Sequence, residues 1–175
     1  HYKSPTFAGG LQFRAAAAAG EATDGATNTD AQDGLFDRMS ASVTYSADMF
    51  TVAAAFDKDV EVNGNKQDTD LVRLTGNVKV GPAKLGALVQ FGADDSTAGT
   101  EVETTGFALS AKVKVTDRGT VKAQYAASTL ETTTGATSTD KDLSQFSIGY
   151  DHKMADKVKL YGYVSVTDDD ALQAG

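Results

Sequence analysis

Ser147, Asp151 and His152 fall within one short stretch, and a hydroxyl, a carboxylate and an imidazole are the parts of a nucleophilic triad. Such a triad needs nucleophile, base and orienting acid within hydrogen-bond reach. Alternation along the stretch puts Ser147 and Asp151 on one face of a strand and His152 on the other, so no catalytic residue is expected and the chain is read as a non-enzyme. A second chemistry is hard-cation binding, because Asp94 and Asp95 with Glu101 and Glu103, or Asp168 to Asp170, offer carboxylate oxygens suited to Ca²⁺. Neither group follows the twelve-residue calcium-loop pattern, and acidic runs are most often solvated, so no metal and no cofactor is expected. The third chemistry is electrostatic. Arg14, Arg38, Arg73, Lys79, Lys84, Lys112, Lys114, Lys122 and Lys159 recur in segments whose every second residue is apolar. Rings of Lys and Arg lower the energy of anions in a pore, and these nine are the expected pore-lining residues. The competing reading is that they are solvated charges balanced by acids elsewhere.

The elements that position these residues follow from alternation, the primary strand signal. In Leu71 to Val80, Val72, Leu74, Gly76, Val78 and Val80 share one face, and Arg73, Thr75, Asn77 and Lys79 share the other. The same pattern recurs in Leu85 to Phe91, where Leu88 breaks the polar side, and in Phe107 to Val115, Val121 to Tyr125, Leu11 to Ala15, Met39 to Tyr45, Phe50 to Phe56, Phe146 to Tyr150 and Val158 to Val166. The Ala15 to Ala19 run has helical propensity, yet it continues the Leu11/Phe13 alternation and is read as strand. With a stub at His1 to Ser4, ten strands are expected. Short turns at Ser46-Ala47-Asp48-Met49, Gly81-Pro82-Ala83, Asp117-Arg118-Gly119 and Met154-Ala155-Asp156 alternate with long acidic segments at Glu21 to Asp37, Lys58 to Asp70, Gly92 to Thr104 and Glu131 to Asp142. These long segments are expected as loops.

Short turns at one end and long loops at the other are the signature of outer-membrane barrels. An extended chain can cross hydrocarbon only as a closed barrel, because every backbone polar group must be paired. A Lys or Arg facing lipid at the midplane costs about 2 to 4 kcal/mol, and the apolar faces of the assigned strand cores carry no Asp, Glu, Lys or Arg. The fold class expected is therefore all-β, an antiparallel transmembrane β-barrel. Phe13, Tyr45, Phe50 and Tyr150 fall near the short-turn end of the apolar face, and Phe56, Phe91, Phe107, Tyr125 and Phe146 near the long-loop end, as two aromatic girdles would. A soluble sandwich with one wet face is the competing architecture. Propeller blades or a solenoid would need a recurrent motif, and there is no Trp in the chain.

Composition narrows the classes further. The 175 residues suggest one domain, the absence of Cys removes disulfides and thiol chemistry, and a net charge of −8 argues against nucleic acid. No run approaches the ~20 apolar residues of a membrane helix. The chain opens at His1 with no leader pattern, so an export signal is expected to lie outside it or to have been removed.

Tyr2-Lys3-Ser4-Pro5-Thr6-Phe7-Ala8-Gly9-Gly10-Leu11 resembles the Tyr-x-Ser-Pro-x-Phe-x-Gly stretch of the general Gram-negative porins. Gln145 to Val158, an aromatic-rich strand running into Met154-Ala155-Asp156-Lys157, is similar to a late hairpin of that family. The resemblance implies a sixteen-stranded homotrimeric barrel in the outer membrane that passes small hydrophilic solutes and ions, bounded by lipid and lipopolysaccharide. It also implies that the earlier strands with their constriction loop, and a final strand, lie outside this sequence. The low-bulk stretch Ala15 to Ala19 is an expected inter-subunit surface. A structural or adhesive surface β-protein without channel activity is the alternative function.

Overall fold

The computed structural model describes residues 1–18, 38–62, 65–97 and 99–169. Ten strands follow one another: β1 (Tyr2–Lys3), β2 (Leu11–Ala18), β3 (Arg38–Ser46), β4 (Phe50–Val62), β5 (Asn65–Val80), β6 (Ala83–Thr97), β7 (Thr100–Lys114), β8 (Gly119–Thr134), β9 (Thr137–Ala155) and β10 (Val158–Asp169). They form one antiparallel sheet in sequence order, an up-and-down meander whose two edges are β1 and β10. The Ala15 to Ala18 part of the alanine run is strand, as alternation predicts; Ala19 and the segment Glu21 to Asp37 lie outside the described residues.

Turn chemistry fixes the registers. Gly81 and Pro82 form a two-residue connection that sets Val80 opposite Ala83. Gly81 has φ +56°, the left-handed first position of a type II′ hairpin turn, and proline suits the negative φ that follows. After β7, the Thr116 hydroxyl accepts from the Gly119 amide at 2.7 Å and the Arg118 amide at 3.3 Å, closing the next hairpin. The Tyr-x-Ser-Pro stretch builds the turn between β1 and β2. Ser4 Oγ accepts from the Phe13 amide at 2.9 Å and donates to the Pro5 carbonyl at 2.8 Å. The chain then reverses through Ala8, Gly9 and Gly10, all at positive φ.

At the opposite end the strands run further than expected. The acidic segments expected as loops are largely strand: β4 and β5 extend to Val62 and from Asn65, β6 and β7 to Thr97 and from Thr100, and β8 and β9 to Thr134 and from Thr137. Their residues pair in register from Thr100↔Thr134 and Thr134↔Thr137 inwards. Threonine is a strong strand former, and hydroxyls bond across the ladder, as Thr100 to Thr134 at 3.2 Å and Thr133 to Ser138 at 3.3 Å. Gly135, with φ +61°, turns the tip.

Among the described residues no apolar side chain is buried, while Leu74 is 50% exposed and Leu109 54%. A soluble sandwich would bury this face against a second sheet. From Val72 to Val80 the apolar face runs about 26 Å along β5, or roughly 20 Å along the axis at a strand tilt near 40°. That approaches the ~25 Å apolar band of outer-membrane barrels.

Candidate functional site

Strand register turns the scattered basic residues into rows. Lys79 on β5 stands opposite Lys84 on β6, Lys84 opposite Lys112 on β7, and Lys112 opposite Lys122 on β8. Four lysines therefore occupy one unbroken cross-strand row, with neighbouring Cα atoms roughly 5 Å apart. Like charges directly opposite one another are unfavourable unless a counter-charge or water screens them. The row ends at Gly149 and Tyr163. One step along the strands, Asn77, Gly86, Ser110, Gln124 and Ser147 form a neutral polar row on the same face.

At the lysine row, counter-charge comes from one carboxylate among the described residues. Asp151 on β9 accepts from Lys122 at 2.6 Å and Lys159 at 3.3 Å, and its own side chain is only 11% exposed. Lys84 and Lys112 make no ion pair among the described residues. Lys79 reaches the Asp48 carbonyl at 3.3 Å, and Lys114 lies 3.7 Å from Asp117 in the turn. Towards the other edge, Arg73 clamps Gln90 Oε1 through Nε at 2.9 Å and through Nη2, and Arg14 holds Gln12 Oε1 at 3.3 and 3.2 Å. Arg14 and Arg73 share one row through Ser42 and Ala55. Arg38 starts β3 opposite Ala18. All nine residues thus stand on one face of the sheet. That face bears an open concavity of ≈ 730 Å³ bordered by Lys84, Ser110, Lys112, Lys122, Gln124 and Asp151.

The opposite face carries the nine aromatics expected in the girdles, while Tyr161 and Tyr163 share the charged face. Tyr45 and Phe50 flank the first short turn with ring centroids 5.7 Å apart, and Phe107 and Tyr125 pair at 5.8 Å. Tyr125 stands opposite Phe146, Phe56 and Phe91 share a row through Val72, and Phe13 stands opposite Val43. Tyr150 stacks on His152 at 6.2 Å. Because β4, β6, β7, β8 and β9 continue past Phe56, Phe91, Phe107, Tyr125 and Phe146, these five lie within their strands rather than at the ends.

The three residues with triad chemistry are held apart. Ser147 Oγ bonds Ser165 Oγ at 2.7 Å, Asp151 is committed to its lysines, and His152 lies beside Tyr150 on the apolar face. The acids are dispersed as well, with Glu103 opposite Glu131 and Asp94 opposite Val102. Among the described residues no group of three potential ligands gathers; Asp170 lies outside them. Alternation alone did not disclose the lysine row or the Asp151 bridge, because both depend on register across several strands.

The sequence profile of the Gram-negative porin family matches residues 1–172. The chain belongs to that family, an outer-membrane one, and its sheet is a porin-type barrel wall. Among solved structures it is similar to the anion-selective porin from Comamonas acidovorans, with a TM-score of 0.74 and 23% identity over 96% of this chain and 48% of that one. The loop L8 deletion mutant of OmpT, an outer membrane protein of Vibrio cholerae, superposes with a TM-score of 0.70 and 16% identity over 96% of this chain and 56% of that one. A further porin gives 0.61 and 21% over 94% and 64%. At these identities the likeness shows the fold. The chain spans about half the length of the first two structures. No curated protein sequence matches it.

Proposed function

We propose that the chain is part of the wall of a passive, water-filled pore for small hydrophilic solutes and ions, acting without catalysis and without a cofactor. The observation that carries this reading is the segregation of faces. Nine basic residues stand on one side of the sheet and an uncharged apolar belt on the other. Lipid accepts the second face and only water accepts the first. The lysine row and Arg73 lower the energy of anions against a wall of low dielectric, so the pore prefers anions; the similar solved porin described as anion-selective supports that direction. The complete protein would be a sixteen-stranded barrel, with strands and a constriction loop beyond this chain, and would assemble as a homotrimer in lipid and lipopolysaccharide. A trimeric form of OmpT among the similar structures supports that assembly.

The test is conductance of the complete protein in planar bilayers. Stepwise ohmic channels with a reversal potential displaced towards chloride in a KCl gradient are expected. A protein that inserts yet conducts nothing would leave the structural or adhesive alternative in its place.

A further inference from the structure

We propose that Lys79, Lys84, Lys112 and Lys122 form a docking row for linear oligophosphates entering from the short-turn end of the pore. The inference rests on reading the charged face as a wetted lumen, and it goes beyond general anion preference.

Three observations carry it. The first is geometry: the four lysines face each other across four consecutive strands, so their stems rise from a line roughly 15 Å long at the ~4.8 Å strand spacing. A single small anion spans only part of that line. A chain of phosphates, with charge every few ångströms, can use all four.

The second is the balance of charge. Asp151 neutralises only the Lys122 end of the row, where it is shared with Lys159. The two central lysines have no acid partner among the described residues. Facing like charges at this density favour a multivalent counter-anion over scattered monovalent ones.

The third is the floor beside the row. Asn77, Ser110 and Gln124 supply neutral donors one step away, and Gly86 lies between Asn77 and Ser110. A Cβ on Gly86 would sit 2.7 Å from Ser110 Oγ, so its absence leaves that hydroxyl clear beside Lys84 and Lys112. Phosphate offers several acceptor oxygens per group and satisfies ammonium and hydroxyl donors together, which a carboxylate of equal charge does less completely. The same residues Lys84, Ser110, Lys112, Lys122 and Gln124 border the ≈ 730 Å³ concavity, which has room for such a chain.

The experiment is titration calorimetry of the complete, detergent-solubilised protein with tripolyphosphate, orthophosphate and citrate at about 0.1 M salt, where charges beyond ~10 Å are screened. The row predicts that tripolyphosphate binds at least tenfold more tightly than either of the others. It also predicts that Lys84→Gln with Lys112→Gln weakens tripolyphosphate binding at least tenfold. Lys153→Gln removes an ammonium already paired with Asp156 at 2.9 Å and should leave binding as it was. Heat-modifiable mobility on a gel confirms that each variant is folded. Equal binding of citrate, or binding indifferent to the double substitution, overturns the proposal. Calorimetry does not require conduction, so a protein that binds tripolyphosphate through these lysines but passes no current would refute the pore reading and leave the row standing.

Discussion

Lys122 Nζ lies 2.6 Å from Asp151 Oδ2, and the same oxygen accepts from Lys159 at 3.3 Å. One carboxylate on β9 thereby ties β8 to β10 across the charged face. It is also the only acid ion-paired with a lysine of the row among the described residues. Asp151→Asn keeps the shape and removes one negative charge from each lumen. The reversal potential in a KCl gradient should move further towards chloride, most clearly at low salt where screening is weak. A shift towards potassium would contradict the placement of this residue on the conducting side.

Gly10 has φ +141°, and a Cβ there would run into the Ser46 carbonyl. Its own carbonyl accepts from the Ser46 amide at 3.0 Å, so the turn before β2 is fixed against the end of β3. Gly10→Ala should cost about 1 to 3 kcal/mol, the usual penalty for a non-glycine residue in such a region. The temperature at which the folded gel band converts to the unfolded one should fall, whereas Gly9→Ala, with open space around its Cβ position, should lower it less.

Ser4 is 8% exposed and holds the Phe13 amide at 2.9 Å. Ser4→Ala leaves that amide without its side-chain acceptor, at a cost of about 1 to 3 kcal/mol. Urea unfolding of the vesicle-inserted protein should show the loss, and Ser4→Thr, which keeps the hydroxyl, should recover most of it. No difference between the two variants would mean that the hydroxyl is not what holds the turn.

How much of this was legible beforehand depended on whether burial left a mark in the residue pattern. Val72, Leu74, Val78 and Val80 announced a strand because one face meets an apolar medium and the other, with Arg73 and Lys79, meets a polar one. Thr132, Thr133, Thr134, Thr137 and Thr139 gave no such contrast. Both faces of that hairpin meet water, so its acidic and hydroxyl residues read as loop although threonine favours the strand. Register was not legible: the turn read as Gly81-Pro82-Ala83 is the two-residue Gly81-Pro82, and only that pairing sets Lys79 opposite Lys84. Placing Lys112 and Lys122 in the same row required the pairing of β6 with β7 and of β7 with β8, which no local signal specifies.

Leu74 and Thr75 are chain neighbours on opposite faces of β5, Leu74 between Ala54 and Val89 and Thr75 between Ala53 and Leu88. If the apolar face meets lipid, a nitroxide on Leu74→Cys should collide more often with oxygen, which concentrates in hydrocarbon, than with a water-soluble nickel complex. On Thr75→Cys the order should reverse. Leu74→Arg should also cost about 2 to 4 kcal/mol of folding free energy in vesicles, as expected for a midplane cation facing lipid, while Thr75→Arg adds one more charge to a wetted wall and costs little. A label at position 74 shielded from both quenchers would mean that another protein surface covers this face. The charged side would then have to be explained without a lumen.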